Sequence, residues 1–180
     1  FFVIVSTWLV YFSRESLRAP RSHGFYRFFA WECILILFVL NVDLWFHDPL
    51  SPTQLTSWLL LVVSAFLVLH AAILLRRLGH PDRSRRDVPL IGIEKTTTLV
   101  TEGAYRYIRH PLYSSLLFLA WGIFFKHLTI VAGTLVVVAT AFLLATAKAD
   151  EAESIRYFGR SYEDYMKRTK MFIPFLFLCP

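Results

Sequence analysis

Two polar stretches interrupt an otherwise apolar chain, and both carry residues able to bind charge or move protons. The first, Leu99 to Tyr113, reads Leu-Val-Thr-Glu-Gly-Ala-Tyr-Arg-Tyr-Ile-Arg-His-Pro-Leu-Tyr. Arg109 and His110 adjoin within it. A guanidinium offers a planar fork of donors suited to carboxylates, and an imidazole can exchange a proton near neutral pH. These two are the candidates for orienting an anionic group or serving as a base. Pro111 suits a first helical turn, where its missing N–H costs nothing, so a helix is expected to start there with His110 at its mouth. Free backbone donors at such a mouth favour anionic groups. The second stretch, Lys148-Ala149-Asp150-Glu151-Ala152-Glu153, puts adjacent carboxylates at the exit of an apolar run. Acids at the C-terminal end of a helix oppose its dipole, so a cationic partner is expected: a ligand amine, Lys148 or Arg109. Ile155, Phe158, Tyr162, Tyr165 and Met166 follow at three- and four-residue steps, the pattern of an amphipathic helix bent at Gly159.

The elements that must position these residues are membrane helices. The 180 residues are 56% hydrophobic and 17% aromatic with only 18% charged, and the mean hydropathy is +0.52. Soluble domains carry less apolar and more charged sequence, and two cysteines cannot form a disulfide scaffold. The expectation is an all-α integral membrane bundle of about five transmembrane helices, followed by a C-terminal amphipathic cytoplasmic helix. The apolar runs are Phe1–Phe12, Phe28–Phe46, Leu55–Leu75, Leu112–Phe125 and Leu128–Ala147, the last two forming a hairpin around Lys126-His127. A bilayer core of ~30 Å needs about 20 helical residues. The first run begins at Phe1, not Met, so a trimmed start is expected, and no signal-peptide pattern is evident.

Charge supports the same topology. Ser13–Arg27, Arg76–His110 and Lys148–Lys170 hold 18 of the 19 Lys and Arg residues, whereas His47–Gln54 holds none. The positive-inside rule places those three segments in the cytoplasm. The net charge of +6 is then a topology signal and not a nucleic-acid footprint. A multi-pass protein of a bacterial inner membrane or the endoplasmic reticulum is expected, its polar site facing the cytoplasm. Within the runs, Glu32 and Asp43 lie near helix ends and can reach the interface, and His70 reads as a hydrogen-bonded helix contact. No His, Cys or Asp spacing suggests a metal site.

Leu99–Tyr113 with its Arg109-His110-Pro111 core resembles the isoprenylcysteine carboxyl methyltransferases and related membrane phospholipid methyltransferases. So does the acidic cluster followed by Phe158-Gly159, Tyr162, Tyr165 and a late Pro174. The resemblance covers Leu99 to Pro174. It implies a single membrane-embedded domain, with 1–98 as generic spans and connector and 99–174 as a cofactor-binding core. It further implies S-adenosylmethionine as cofactor, contacted by Leu99, Val100, Tyr105, His110, Pro111, Tyr113 and either Asp150 or Glu151. The acid would hold the cofactor's amino group, the basic cluster its carboxylate and the apolar wall its adenine. Two departures stand out. The family's substrate-binding arginine, one turn before the acids, falls here near Thr146. The histidine expected before the Leu-Val pair is Thr97.

The expected reaction is methyl transfer to a lipophilic or membrane-partitioned acceptor: a carboxylate, thiol or amine. Holding donor and acceptor in line is most of what such a reaction needs. Rival readings are a reductase-like membrane enzyme using a nicotinamide dinucleotide, and a non-enzymatic scaffold or transporter. No G-x-G-x-x-G pattern marks a soluble Rossmann domain.

Overall fold

The structure, a computed structural model, describes residues 1–82 and 94–174. Its helices are α1 (Phe2–Phe12), α2 (Arg14–Leu17), α3 (His23–Asn41), α4 (Pro52–Leu78), α5 (Pro111–Phe124), α6 (Ile130–Phe158) and α7 (Arg160–Arg168), with short 3-10 turns at Val42–Leu44 and Gly103–Arg106. The described residues form no β-strand, only the isolated pairings Pro81–Thr96 and Ile108–Lys170. The helix starts follow local chemistry. The side chains of Ser22, Ser51 and Thr129 accept from the backbone N–H of Phe25, Gln54 and Ala132, satisfying donors that a first turn leaves free. Pro52 and Pro111 open α4 and α5.

Three helical stretches are long and apolar enough to cross a membrane: His23–Leu44, Pro52–Leu78 and Ile130–Phe158. Phe2–Phe12 and Pro111–Phe124 are apolar but shorter, at 11 and 14 residues. The acids also lie elsewhere than their sequence suggests. α6 does not end at Ala147 but runs unbroken to Phe158, so Asp150 and Glu151 sit two turns inside a helix and not at its exit. The break comes at Gly159, whose φ of +60° suits glycine.

Helix packing uses small and polar residues, as expected where lipid removes most of the hydrophobic drive between helices. Ser57 and Ser64 on α4 donate to the carbonyls of Gly122 and Ser115 on α5, each at 2.7 Å. The opposite face of α4 leaves Leu55, Leu59, Val62, Phe66 and Leu69 exposed. Leu37, Ala120, Ile123, Val136 and Ala139 fill the seam between α3, α5 and α6. A Cβ built at Gly122 would lie 3.0 Å from Leu61 side-chain atoms. Gly122→Val is therefore expected to push α4 and α5 apart and cost about 1–3 kcal/mol, read as a lower thermal midpoint in detergent.

The lone cation outside the basic segments is also packed. Lys126 is buried, with its ammonium 3.4 Å from the Trp58 ring centroid and 3.0 Å from Gln54 Oε1. Gln54 Nε2 in turn donates to the Lys126 carbonyl at 3.2 Å. Burial lowers the Lys126 pKa.

Candidate functional site

The residues preceding α5 lie against the chain that follows α7. The Arg109 N–H donates to the Lys170 carbonyl at 2.7 Å, Lys170 N–H to Tyr107 at 3.0 Å and His110 N–H to Met171 at 3.2 Å. Ser114 Oγ donates to the carbonyl of Phe172 at 2.7 Å. Residues 169–172 thus form a strap, and α7 before it is tied to the segment preceding α5, because the Tyr165 hydroxyl donates to the Tyr105 carbonyl at 2.6 Å. Tyr162 and Tyr165 are thus buried, while Glu163 and Asp164 on the other side of α7 are exposed.

On this frame Arg109, His110, Asp150 and Glu151 meet. Arg109 Nε donates to Glu151 Oε1 at 2.7 Å, and its Nη1 donates to the carbonyls of Thr169 at 2.5 Å and Met166 at 3.1 Å. His110 bridges the two acids, with Nδ1 3.3 Å from Asp150 Oδ2 and Nε2 3.3 Å from Glu151 Oε1. Burial of His110 works against its charged form, but the hydrogen bonds to Asp150 and Glu151 outweigh it and the net pKa direction is up. The imidazole stacks on Tyr113, ring centroids 5.3 Å apart.

Arg109, His110, Tyr113 and Asp150 border a cavity that opens to solvent. Leu99, Val100, Leu112 and Phe158 give it apolar wall, and Tyr105, Tyr113, Tyr162 and Tyr165 give it aromatic wall. Arg109, His110, Asp150, Glu94 and Glu153 supply charge. Of the sequence candidates, Leu99, Val100, Tyr105, Arg109, His110, Tyr113 and Asp150 line the cavity. Pro111 and Glu151 do not: Pro111 is buried as the first residue of α5, and Glu151 holds Arg109 and His110 from behind. Lys148 and Arg106 are exposed and line no part of it. Thr146, in the place of the missing arginine, is fully buried with its hydroxyl on the Phe142 carbonyl at 2.7 Å. The Thr97 hydroxyl donates to the His80 carbonyl at 2.9 Å.

Sequence reasoning missed a second charged group behind the cavity. Arg27 and His23, both on α3, are 3% and 0% exposed. Arg27 Nη1 donates to Glu94 Oε1. His23 holds Glu153 with its backbone N–H at 3.0 Å and Nδ1 at 2.5 Å, and its Nε2 lies 3.6 Å from Glu94. His23, Asp150 and Glu153 each offer a ligand atom within 4.8 Å of the others. No spacing rule finds this set, because α3 and α6 meet only in three dimensions. The one signal in the sequence was a histidine and an arginine in the few residues just before an apolar run, where ionised groups near a span need partners.

Glu94 has a consequence for acid stability. Burial would raise its pKa, but Arg27 and His23 beside it bring it down to about 2. A carboxylate lowered on folding stabilises fully above its unfolded value, here 4.5, and less as pH falls toward about 2. Circular dichroism in detergent is expected to show destabilisation over that window, and Glu94→Gln to flatten it.

Of His70 and Glu32, the first accepts from the Ala104 N–H at 3.3 Å and the second accepts from Ser6 Oγ on α1 at 3.0 Å.

Residues 87–155 match the family model described as the isoprenylcysteine carboxyl methyltransferase (ICMT) family. A methanethiol S-methyltransferase of Crocosphaera subtropica is 24% identical over 170 residues, 87% of this chain and 62% of that protein. A methanethiol S-methyltransferase of Pseudomonas deceptionensis is 26% identical over 120 residues, 67% of this chain and 43% of that protein. A probable protein-S-isoprenylcysteine O-methyltransferase of Oryza sativa subsp. indica is 34% identical over 99 residues, covering 52% and 50%. The chain thus spans about half the length of the curated relatives it matches. No solved structure matches it significantly.

Proposed function

From a chain whose residues 87–155 carry the sequence of the isoprenylcysteine carboxyl methyltransferase family, we propose a membrane enzyme that transfers a methyl group from S-adenosylmethionine to a lipophilic acceptor. The observation that carries this reading is the acid-lined cavity bounded by His110 and Asp150, with Arg109 fixed at its edge. Its donor set fits the cofactor. A sulfonium and an ammonium are both cationic, and Asp150, Glu94 and Glu153 line the space that would receive them. Bound there, the cofactor supplies a methyl group already activated by its positive sulfur.

The chain's own residues then bind, orient and exclude water. Asp150 lines the cavity and Glu151 does not, which supports Asp150 as the acid that takes the amino group. Glu151 instead anchors Arg109 and His110, the cationic flank for the cofactor's carboxylate. Tyr105, Tyr162 and the Leu99-Val100 pair form the adenine wall. His110 lies between two acids that favour its cation, and a cation has no free nitrogen to accept a proton, so it serves as a binding group and not as the base. Packed aromatic rings and apolar walls keep water out, which strengthens each charge contact inside.

In the membrane, α1 and α5 complete five crossings. α5 spans about 21 Å at 1.5 Å per residue, and its flanking turns make up the remainder. The basic segments then share the cytoplasmic side with the cavity. An apolar groove is lined by Trp8, Trp31, Leu35, Trp58, Leu61 and Leu116. Leu116 packs against the cluster that holds Tyr113, which sets the groove beside the cavity as the place for a lipophilic acceptor's apolar part.

Calorimetry on the full chain in detergent tests this. S-Adenosylmethionine is expected to bind, and His110→Ala to weaken binding about tenfold or more, as the loss of a charged hydrogen-bond partner costs about 1.5–3 kcal/mol. Wild-type protein without measurable affinity ends the reading.

A further inference from the structure

A second hollow opens beside Tyr165, and we propose that it is a site for the phosphate of an anionic phospholipid. Glu102, Arg106, Tyr165, Arg168 and Thr169 line it. Two segments face each other there: the Gly103–Arg106 turn on one side, the end of α7 and the start of the strap on the other. Arg106 and Arg168 are exposed, and neither is in an ion pair among the described residues. The Arg106 guanidinium lies 6.0 Å from the Tyr107 ring centroid, and Arg168 donates from Nε to the Asp164 carbonyl at 3.3 Å. The Asp164 carboxylate itself is paired with Lys167 at 2.8 Å. Two guanidiniums against the single carboxylate of Glu102 leave the hollow net positive. The planar fork of donors on each matches the oxygens of a phosphate.

The level of the hollow along α4 selects a lipid headgroup over free phosphate. The turn lies against the side of α4, not beyond its end. A Cβ built at Gly103 would come 2.6 Å from the Leu74 side chain and 2.7 Å from His70, and the Ala104 N–H donates to His70 Nε2 at 3.3 Å. Those two residues stand one to two turns before α4 ends at Leu78. On the same helix Phe66, Leu69 and Ile73 are exposed, and Phe66 stacks on His70 with ring centroids 5.5 Å apart. α4 is long and apolar enough to cross a membrane, so in a bilayer this face meets acyl chains. A lipid whose chains lie on Phe66 and Leu69 brings its headgroup to the level of Arg106. The same end of α4 carries Arg76 and Arg77, and basic ends face the leaflet in which anionic lipids gather.

The hollow shares residues with the site at His110. Tyr165 lines both, and its hydroxyl holds the Tyr105 carbonyl. The Thr169 carbonyl accepts from Arg109 at 2.5 Å. A phosphate held by Arg106 and Arg168 ties the turn that carries Tyr105 to the end of α7. It thereby steadies two aromatic walls of the cavity and the carbonyl that fixes Arg109. On the methyl-transfer reading, anionic lipid and S-adenosylmethionine each favour the binding of the other, because such coupling is reciprocal.

The test titrates phosphatidylglycerol, phosphatidylcholine and inorganic phosphate against the full chain in neutral detergent, with native mass spectrometry reading bound lipid and calorimetry reading bound phosphate. Phosphatidylglycerol is expected to bind more tightly than either of the others. Arg106→Gln and Arg168→Gln are each expected to weaken it about fivefold, the effect of one basic residue near an anionic lipid surface. Glu102→Gln is expected to tighten it, and Arg18→Gln, an exposed arginine of another basic segment, to leave it unchanged. Equal affinity for the two lipids overturns the site, as does phosphate bound as tightly as phosphatidylglycerol or an equal loss in Arg18→Gln. Should one arginine variant fail to fold, the other variant and the wild-type lipid panel decide. In nanodiscs, phosphatidylglycerol is expected to raise S-adenosylmethionine affinity about fivefold over phosphatidylcholine alone, and Arg106→Gln/Arg168→Gln to abolish that gain. A gain that survives in the double variant overturns the coupling. A wild type that binds phosphatidylglycerol here but S-adenosylmethionine in neither membrane is the separate failure of the methyltransferase reading.

Discussion

Replacing Arg109 by leucine is expected to be the most damaging single change to the polar end of the molecule. Its guanidinium satisfies Glu151 and the carbonyls of Thr169 and Met166, and the ion pair is nearly shut off from solvent, with side chains 6% and 10% exposed. Removing one partner of a buried pair strands the other charge, at a cost of about 3–5 kcal/mol. For a chain of this length that corresponds to a thermal midpoint lower by roughly 6–20 °C, measured by thermal unfolding in detergent. The Arg109→Leu/Glu151→Leu double variant is expected to recover part of the loss, since two apolar side chains leave no buried charge behind. If the single variant melts with the wild type, Arg109 does not anchor the strap.

The second large effect separates two adjacent acids. Asp150→Asn removes a charge that lines the cavity, and S-adenosylmethionine affinity is expected to fall by about 10- to 100-fold, as for a lost charged hydrogen bond. Stability is expected to change little, because the substitution also relieves repulsion from Glu94 and Glu153. Glu151→Gln should do the reverse: it weakens the hold on Arg109 and His110, lowers the melting temperature and changes affinity less. Calorimetry and thermal melts on both proteins read the pattern. A larger affinity loss at Glu151 than at Asp150 would reverse the assignment.

The legible part of this molecule was its local chemistry. Pro111 announced the start of α5 and Gly159 the break after α6. The meeting of His110 with the acids followed from placing them on successive helices joined by a short turn. What sequence could not show was contact between distant helices. His23 and Arg27 read as two more residues of a basic segment, yet α3 packs along α6 and buries both beside Glu153 and Glu94. The end of the last long helix was misplaced for a related reason. Charged residues from Lys148 onward looked like an exit into water, but a helix continues through acids when neighbouring cations cover them. Phe2–Phe12 and Pro111–Phe124 are as apolar as their sequence promised but shorter than the three helices long enough to cross a membrane.

The strap of residues 169–172 that lies along Arg109 and His110 makes the molecule divisible in an unusual place. A protease cut just after Arg168 would leave every long apolar helix whole and still embedded, so the clipped chain would pass for intact by size of its bilayer-inserted core. It would nonetheless have shed the Thr169 carbonyl that helps aim the Arg109 guanidinium, the Lys170 carbonyl on the Arg109 N–H and the Phe172 ring beside His110. Abundance in a membrane fraction and an intact polar end can therefore part company in this protein, and a tag or fusion inserted close after the strap needs a spacer that lets it close.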